Sequence, residues 1–425
     1  MQLNDLPVDL LEEIFLHFVS RSQDHPSSPP SKSNFRSPES PLFLSKICKQ
    51  WREISLRFGR LWTHLHVVNP KEVTIVEHLE EWMNRTGSIP LCLSLREGTA
   101  QYNHAPSAAV LWLFLNSLHR CRAFEMDVKT GLEYFGLERL EQASFTSLET
   151  VRVKCNDYRG NNSAILANLL LNTSSLRTIK WSGPMRPLDA VSPSWGNLRQ
   201  LEIENLTLHD GIFDAFSHCQ NLEYLKIQVS FSNNDDSKSV ILPRLTQLSI
   251  LLNSPHAATI NQLFLPLLEE LELVLTHVPL VWDPVLGLIR RSGMTLRKFV
   301  ILTALHTNFL RMNHVEFVDI LKMSEFQELR VLRVERPIVG DHIVTFLTLP
   351  SRGDPGVGDG NEARGYLIHL ERIYMVFGDT PRKQISQSLR KLIDSRVGIS
   401  HKPKPLKEYI QMHTNDRFSL SISSS

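Results

Sequence analysis

The chain has 425 residues, a formal net charge of +1, 42% hydrophobic and 21% charged residues. That balance offers no bulk attraction to nucleic acid or to an anionic membrane, and no apolar run reaches the roughly 18–20 residues that span a bilayer. The length allows more than one domain, and the apolar content is ordinary for chains that bury a core.

The first residues, MQLNDLPVDLLEEIF, carry acids where a secretion signal carries Lys or Arg. They predict a cytoplasmic and/or nuclear protein. The five cysteines, Cys48, Cys92, Cys121, Cys155 and Cys219, are scattered and lack a C-x-x-C pair. They read as reduced, mostly buried thiols, and the sequons at Asn84, Asn161, Asn172 and Asn205 read as chance matches.

Residues 4–19 predict a helix. Asn4 or Asp5 can cap it, Pro7 suits its first turn, and Leu10, Leu11, Ile14, Phe15, Phe18 and Val19 follow helical spacing. Residues 21–41 hold seven serines and five prolines; such a stretch buries too little to offset ordering entropy and predicts a flexible loop. A second helix is expected with Leu44, Ile47, Cys48, Trp51, Ile54, Ser55 and Phe58 on one face, followed by a short apolar anchor of Leu61, Trp62 and Leu65. So few ordered residues make a weak core alone, so the segment is expected to dock on something.

Leu6-Pro7, the Leu10-Leu11-x-x-Ile14-Phe15 stripe, Cys48-Lys49-x-Trp51-Arg52 and Leu61-Trp62 resemble the F-box motif in order and type. The arrangement is similar to F-box proteins frequent in mushroom-forming fungi. It departs from the usual short interhelical loop by the insertion at 21–41. The resemblance covers about residues 3–66, within a helical domain expected over 1–66. It implies docking on the Skp-type adaptor of a cullin–RING ubiquitin ligase through Leu6, Pro7, Ile14, Phe15, Cys48, Trp51, Leu61 and Trp62.

Residues 71–86 predict a further helix, with Val76, Leu79 and Met83 on one side, Trp82 beside them and a turn at Gly87. Leu91, Leu93 and Leu95 then alternate as in a strand, and a pattern Leu-x-x-φ-x-φ (φ apolar) recurs, anchored at Leu148, Leu176, Leu198, Leu222, Leu245, Leu268, Leu296, Leu329 and Leu370. Arg122–Val128 is an earlier degenerate copy. Gaps such as 161–171, 211–217, 256–263, 284–290 and 315–323 have room for helices. One strand-plus-helix unit cannot bury its own face, so units must stack. The expectation for 67–425 is an irregular α/β solenoid that resembles a leucine-rich-repeat horseshoe, with a parallel sheet inside and helices outside. A capping helix is expected after Thr380 and Pro381, and a fraying Ser-rich end.

Alternation along each strand places one set of side chains on the concave face: Arg152, Lys154, Lys180, Glu202, Glu204, Tyr224, Lys226, Glu270 and Glu272, then the apolar Leu251, Val274, Val300 and Leu302, with Tyr374 beyond. Charges of alternating sign favour a target protein of matching pattern over a polyanion, and the apolar members suggest a contact patch. The Gly-rich stretch 351–365 lacks a Gly-Lys-Ser/Thr, and no catalytic or metal motif stands out; His64 and His66 alternate along one strand without a third ligand near. The expectation is a non-enzymatic substrate receptor with no cofactor and no metal. A Skp-bound scaffold that recruits no cullin is the alternative, and a hydrolase or transferase with dispersed catalytic groups the third reading.

Overall fold

A computed structural model describes residues 6–20, 33–98, 103–137, 145–156, 161–183, 193–207, 215–230, 239–252, 260, 262–275, 282–303, 314–334, 341–348, 367, 369–377, 392, 409–413 and 417–423. The chain is mixed α/β and divides into two compact units, Met1–Thr207 and Leu208–Ser425. No helix among the described residues is long and apolar enough to cross a membrane.

The first unit opens with α1 (Val8–Ser20), whose first turn closes on the Pro7 carbonyl. Two expectations fail in the segment that follows. Residues 33–41 are not a loose loop: Asn34–Arg36 form a 3-10 turn, and Ser33 and Ser40 are buried. The reason is local, because the Ser40 hydroxyl caps α2 (Pro41–Leu44) by accepting from the Leu42 N–H, and Ser33 and Asn34 bond to a strand edge. Residues 21–32 of the same stretch lie outside the described residues. Nor is residues 44–58 one helix. The chain turns at 45–47, and an extended Cys48 caps a fresh helix, α3 (Lys49–Arg57), its Sγ accepting from the Trp51 N–H at 3.4 Å.

Next come β1 (His64–Val68), α4 (Ile75–Asn84), β2 (Leu91–Arg96), α5 (Ala105–Asn116), β3 (Cys121–Gly131), β4 (Thr150–Asn156), α6 (Asn161–Leu171), β5 (Thr178–Ser182) and β6 (Gln200–Thr207). Each strand pairs in parallel with the next. Gly87 makes the expected turn after α4 with φ 62°, a left-handed conformation that suits glycine. The register aligns inward rows, Leu65–Leu93–Phe124–Val151–Ile179–Leu201 and Val67–Leu95–Met126–Val153–Trp181–Ile203. All are buried, and each large apolar side chain so removed from water contributes about 1.5–3 kcal/mol. Helix α5 has no counterpart in the sequence expectation: Val110, Leu111, Phe114 and Leu115 are all buried, so no polar stripe marks its period.

The second unit holds β7 (Tyr224–Ser230), β8 (Val240–Ile241), β9 (Gln247–Leu252), β10 (Leu263–Phe264), β11 (Glu270–Leu275), α7 (Trp282–Ser292), β12 (Lys298–Thr303), α8 (His314–Leu321), β13 (Val331–Val334), α9 (Asp341–Leu347), β14 (Arg372–Phe377), β15 (Tyr409–His413) and β16 (Arg417–Ser423). Strands β7, β9, β11, β12, β13 and β14 are parallel neighbours in that order. The helix expected over 256–263 is displaced at its end, where Leu263–Phe264 pairs with β8. The fraying end is also corrected: β16 runs antiparallel to β14 and to β15, because Phe418, Leu420 and Ile422 alternate with polar residues as a strand requires. Of the helix expected after Thr380, Leu392 alone is described, and it is helical and buried. The stretches 231–238 and 351–365 lie outside the described residues.

Candidate functional site

Helix α1 carries two apolar stripes about 100° apart, the angle between successive helical residues. Leu11, Phe15 and Val19 face inward and are buried, whereas Leu10 and Ile14, one turn apart, are 52% and 43% exposed. Val8 on α1, and Phe43, Ile47 and Leu56 from the two following helices and their turn, are exposed as well. The Phe15 ring lies 4.7 Å from Trp51, and Phe18 stacks on Phe43 at 6.5 Å. Six of the exposed large apolar side chains thus gather in this short segment; others, among them Ile241, Phe264 and Leu267, lie in the second unit. The segment's charged residues Lys46, Lys49, Arg52 and Arg57 are exposed, and Arg52 is held by donating to the Ser45 carbonyl at 2.8 Å.

Of the eight residues expected to dock an adaptor, Ile14 and Pro7 are exposed, and Leu6, Cys48 and Trp51 are half-buried. Phe15, Leu61 and Trp62 are corrected to core: none exceeds 2% exposure. Trp62 shows why. Its indole N–H donates to the Ser55 carbonyl, its own carbonyl accepts from the Trp82 indole at 2.8 Å, its ring meets Trp82 edge-on at 4.8 Å, and the Arg85 guanidinium covers it at 4.4 Å. Such a side chain joins α3 to α4 and has no face left for a partner. Leu10, Phe43 and Ile47 were not among the docking residues expected, although eight apolar residues in the thirteen of α1 exceed what a single stripe can absorb.

The outward face of the first unit is ordered by strand register. One row reads His66–Ser94–Glu125–Arg152–Lys180–Glu202 and the next Val68–Arg96–Asp127–Lys154–Ser182–Glu204. Arg152, Lys154, Lys180, Glu202 and Glu204 thus lie on the face expected of them. The alternating charges largely answer one another: Lys180 Nζ sits 2.6 Å from Glu202, Arg152 3.9 Å from Glu125, and Asp127 lies 3.7 Å from Arg96 and 3.3 Å from Lys129. Glu125, Asp127 and Arg96 are the members that sequence missed, because the repeat is degenerate there.

In the second unit the rows read Tyr224–Gln247–Glu270–Lys298–Val331–Arg372, then Lys226–Ser249–Glu272–Val300–Arg333–Tyr374, then Gln228–Leu251–Val274–Leu302. Glu270 pairs with Lys298 at 2.8 Å, Glu272 accepts from the Ser249 hydroxyl at 2.9 Å, and the Arg333 guanidinium lies 4.9 Å over the Tyr374 ring. Leu251, Val274 and Leu302 form a half-buried apolar row. Val300 is corrected from exposed contact to buried residue at 2% exposure; it sits in its row between Glu272 and Arg333.

Three of the five cysteines are held away from the thiolate form. Burial pushes the Cys121 and Cys219 thiols up to about 12 and raises Cys92, the opposite of what activates a nucleophile. No group of three or more His, Cys, Asp or Glu among the described residues has the geometry to hold a metal. A scan against protein-family models finds no match to this chain, and no curated protein matches it.

Proposed function

We propose that the chain is a substrate-recognition adaptor of an SCF-type cullin–RING ubiquitin ligase. Its N-terminal helices are an F-box that docks a Skp-type adaptor, and its strand repeats are a leucine-rich-repeat-like solenoid that holds a target protein. The carrying observation is the second stripe of α1: Leu10 and Ile14 lie open beside the filled stripe of Leu11 and Phe15, which suits a helix that serves its own core and a partner at once. Register-aligned rows of outward side chains support the second half, since such rows vary without disturbing the buried frame. Catalysis on this reading belongs to a ubiquitin-loaded enzyme held nearby, and the chain supplies effective concentration.

Co-purification with a Skp-type adaptor and a cullin tests it. The wild-type chain is expected to retain both, and Leu10→Asp/Ile14→Asp to weaken adaptor binding about thirtyfold or more, as loss of a central apolar contact does. Unchanged binding by the folded variant overturns the docking face. Retention of the adaptor without cullin turns the reading toward a scaffold.

A further inference from the structure

Strand β1 ends the parallel ladder of the first unit: among the described residues its only strand neighbour is β2. An edge strand bares backbone donors and acceptors that pair readily with another chain, and proteins blunt such edges with Lys, Pro or a bulge. Here β1 reads His-Leu-His-Val-Val and keeps an unbroken five-residue register with β2, so it carries none of these guards.

Side chains close the edge instead. Asn34 Nδ2 donates to the His64 carbonyl at 2.7 Å, and Asn34 Oδ1 accepts from the His66 N–H at 2.9 Å. These are the two bonds that a residue of a parallel strand makes around the residue facing it; the Asn34 carboxamide imitates a peptide group opposite Leu65. One step along, the Ser33 hydroxyl accepts from the Val68 N–H at 2.8 Å and reaches the Val68 carbonyl at 3.3 Å. Ser33 is 5% exposed, so its bonds are sheltered from water.

We propose that Ser33 and Asn34 are a clasp that keeps this edge from pairing with the same edge of a second copy of the chain. Without the clasp, β1 loses the side-chain bonds at His64, His66 and Val68 that occupy its outer edge, and the edge can pair with another β1 across a twofold axis, the commonest closed symmetry. The inference stands on the edge geometry and does not depend on the adaptor reading.

The test compares the full chain with Ser33→Ala/Asn34→Ala, measuring mass by light scattering from about 1 to about 100 µM, a range where bared edges associate, and hydrogen exchange at the His66 and Val68 amides. At low concentration the variant should exchange both amides about tenfold faster or more. Its mass should double as concentration rises, with exchange slowing again, and the wild-type mass should not. Unchanged exchange overturns the clasp, and faster exchange without association at the highest concentration overturns its guarding role. Should the double variant fail to fold, Asn34→Ala alone removes the acceptor for the His66 N–H and the donor to His64 and leaves Ser33 in place. Faster exchange at His66 with a mass that rises with concentration supports the proposal, and a mass that stays at the wild-type value overturns it.

Discussion

The two units have matching inner faces and contrasting outer ones. Inside, Trp181 in the first unit and Phe299 in the second each sit in an aligned apolar row and are 1% exposed or less. Outside, the first unit is laced with ion pairs such as Lys180–Glu202 and Arg96–Asp127, whereas the second gives up one row to Leu251, Val274 and Leu302. The inner rows answer to packing, which tolerates few shapes. The outer rows answer to water and to whatever binds, so the difference between the units is where specificity can reside.

The largest effects should be equal in the two units. Trp181→Ala and Phe299→Ala each empty a fully buried site and should cost about 3–5 kcal/mol in urea unfolding; a loss under about 1 kcal/mol for either would mean that its inner row is not the core. The next effect should separate the units. If the chain holds a target and an adaptor as proposed, Val274→Asp/Leu302→Asp is expected to abolish target capture in proximity labelling while leaving adaptor binding intact, and Arg152→Glu/Lys154→Glu to reduce it less. Equal losses would erase the contrast between the outer faces. Smaller still are the ion pairs. A double-mutant cycle on Lys180 and Glu202, 34% and 18% exposed, should give a coupling of about 0.5–1 kcal/mol, and one on Arg152 and Glu125, 50% and 40% exposed at 3.9 Å, a coupling near zero.

A final comparison should show no difference. Cys121 and Cys219, one in each unit, have thiols pushed up to about 12 by burial, so at pH 8 only about one molecule in ten thousand holds the thiolate that alkylates. Iodoacetamide should therefore spare both in the native chain and reach the half-buried Cys48 first. Since the folded state keeps these thiols protonated, their contribution is intact below the ordinary thiol pKa and lost as pH climbs from about 9 toward about 12. Flat stability across that window would contradict it.

Period-two alternation was legible wherever a strand is buried on one side only: Leu201 and Ile203 point in, and Glu202 and Glu204 point out. Helix α5 was illegible because Val110, Leu111, Phe114 and Leu115 leave no polar stripe to time the turn. The N-terminal helical segment was half legible. Residue types named the apolar groups of α1, but which stripe is open depends on Trp51 lying against Phe15, a contact that spacing within one helix cannot state. Residues 33–41 misled because Ser and Pro signal looseness by composition, while Ser33, Asn34 and Ser40 are each held by a specific bond. The same bonds rank the serines of this segment. A proline-directed kinase should modify the half-buried Ser37 of the native chain and not Ser40, which is 2% exposed and caps α2; equal phosphorylation by mass spectrometry would show that the segment opens.

The order of the strands matters to a ribosome as well as to a folded molecule. In the first unit each strand pairs with the one made just before it, so a growing chain adds each new strand to a template already in place and waits for no distant partner. Asn34 and Ser33 leave the exit tunnel some thirty residues ahead of His64 and Val68, at sequence separations of 30 to 35 residues. On crowded polysomes, where neighbouring nascent chains are identical and close, the vulnerable strand is thus born after its own cover.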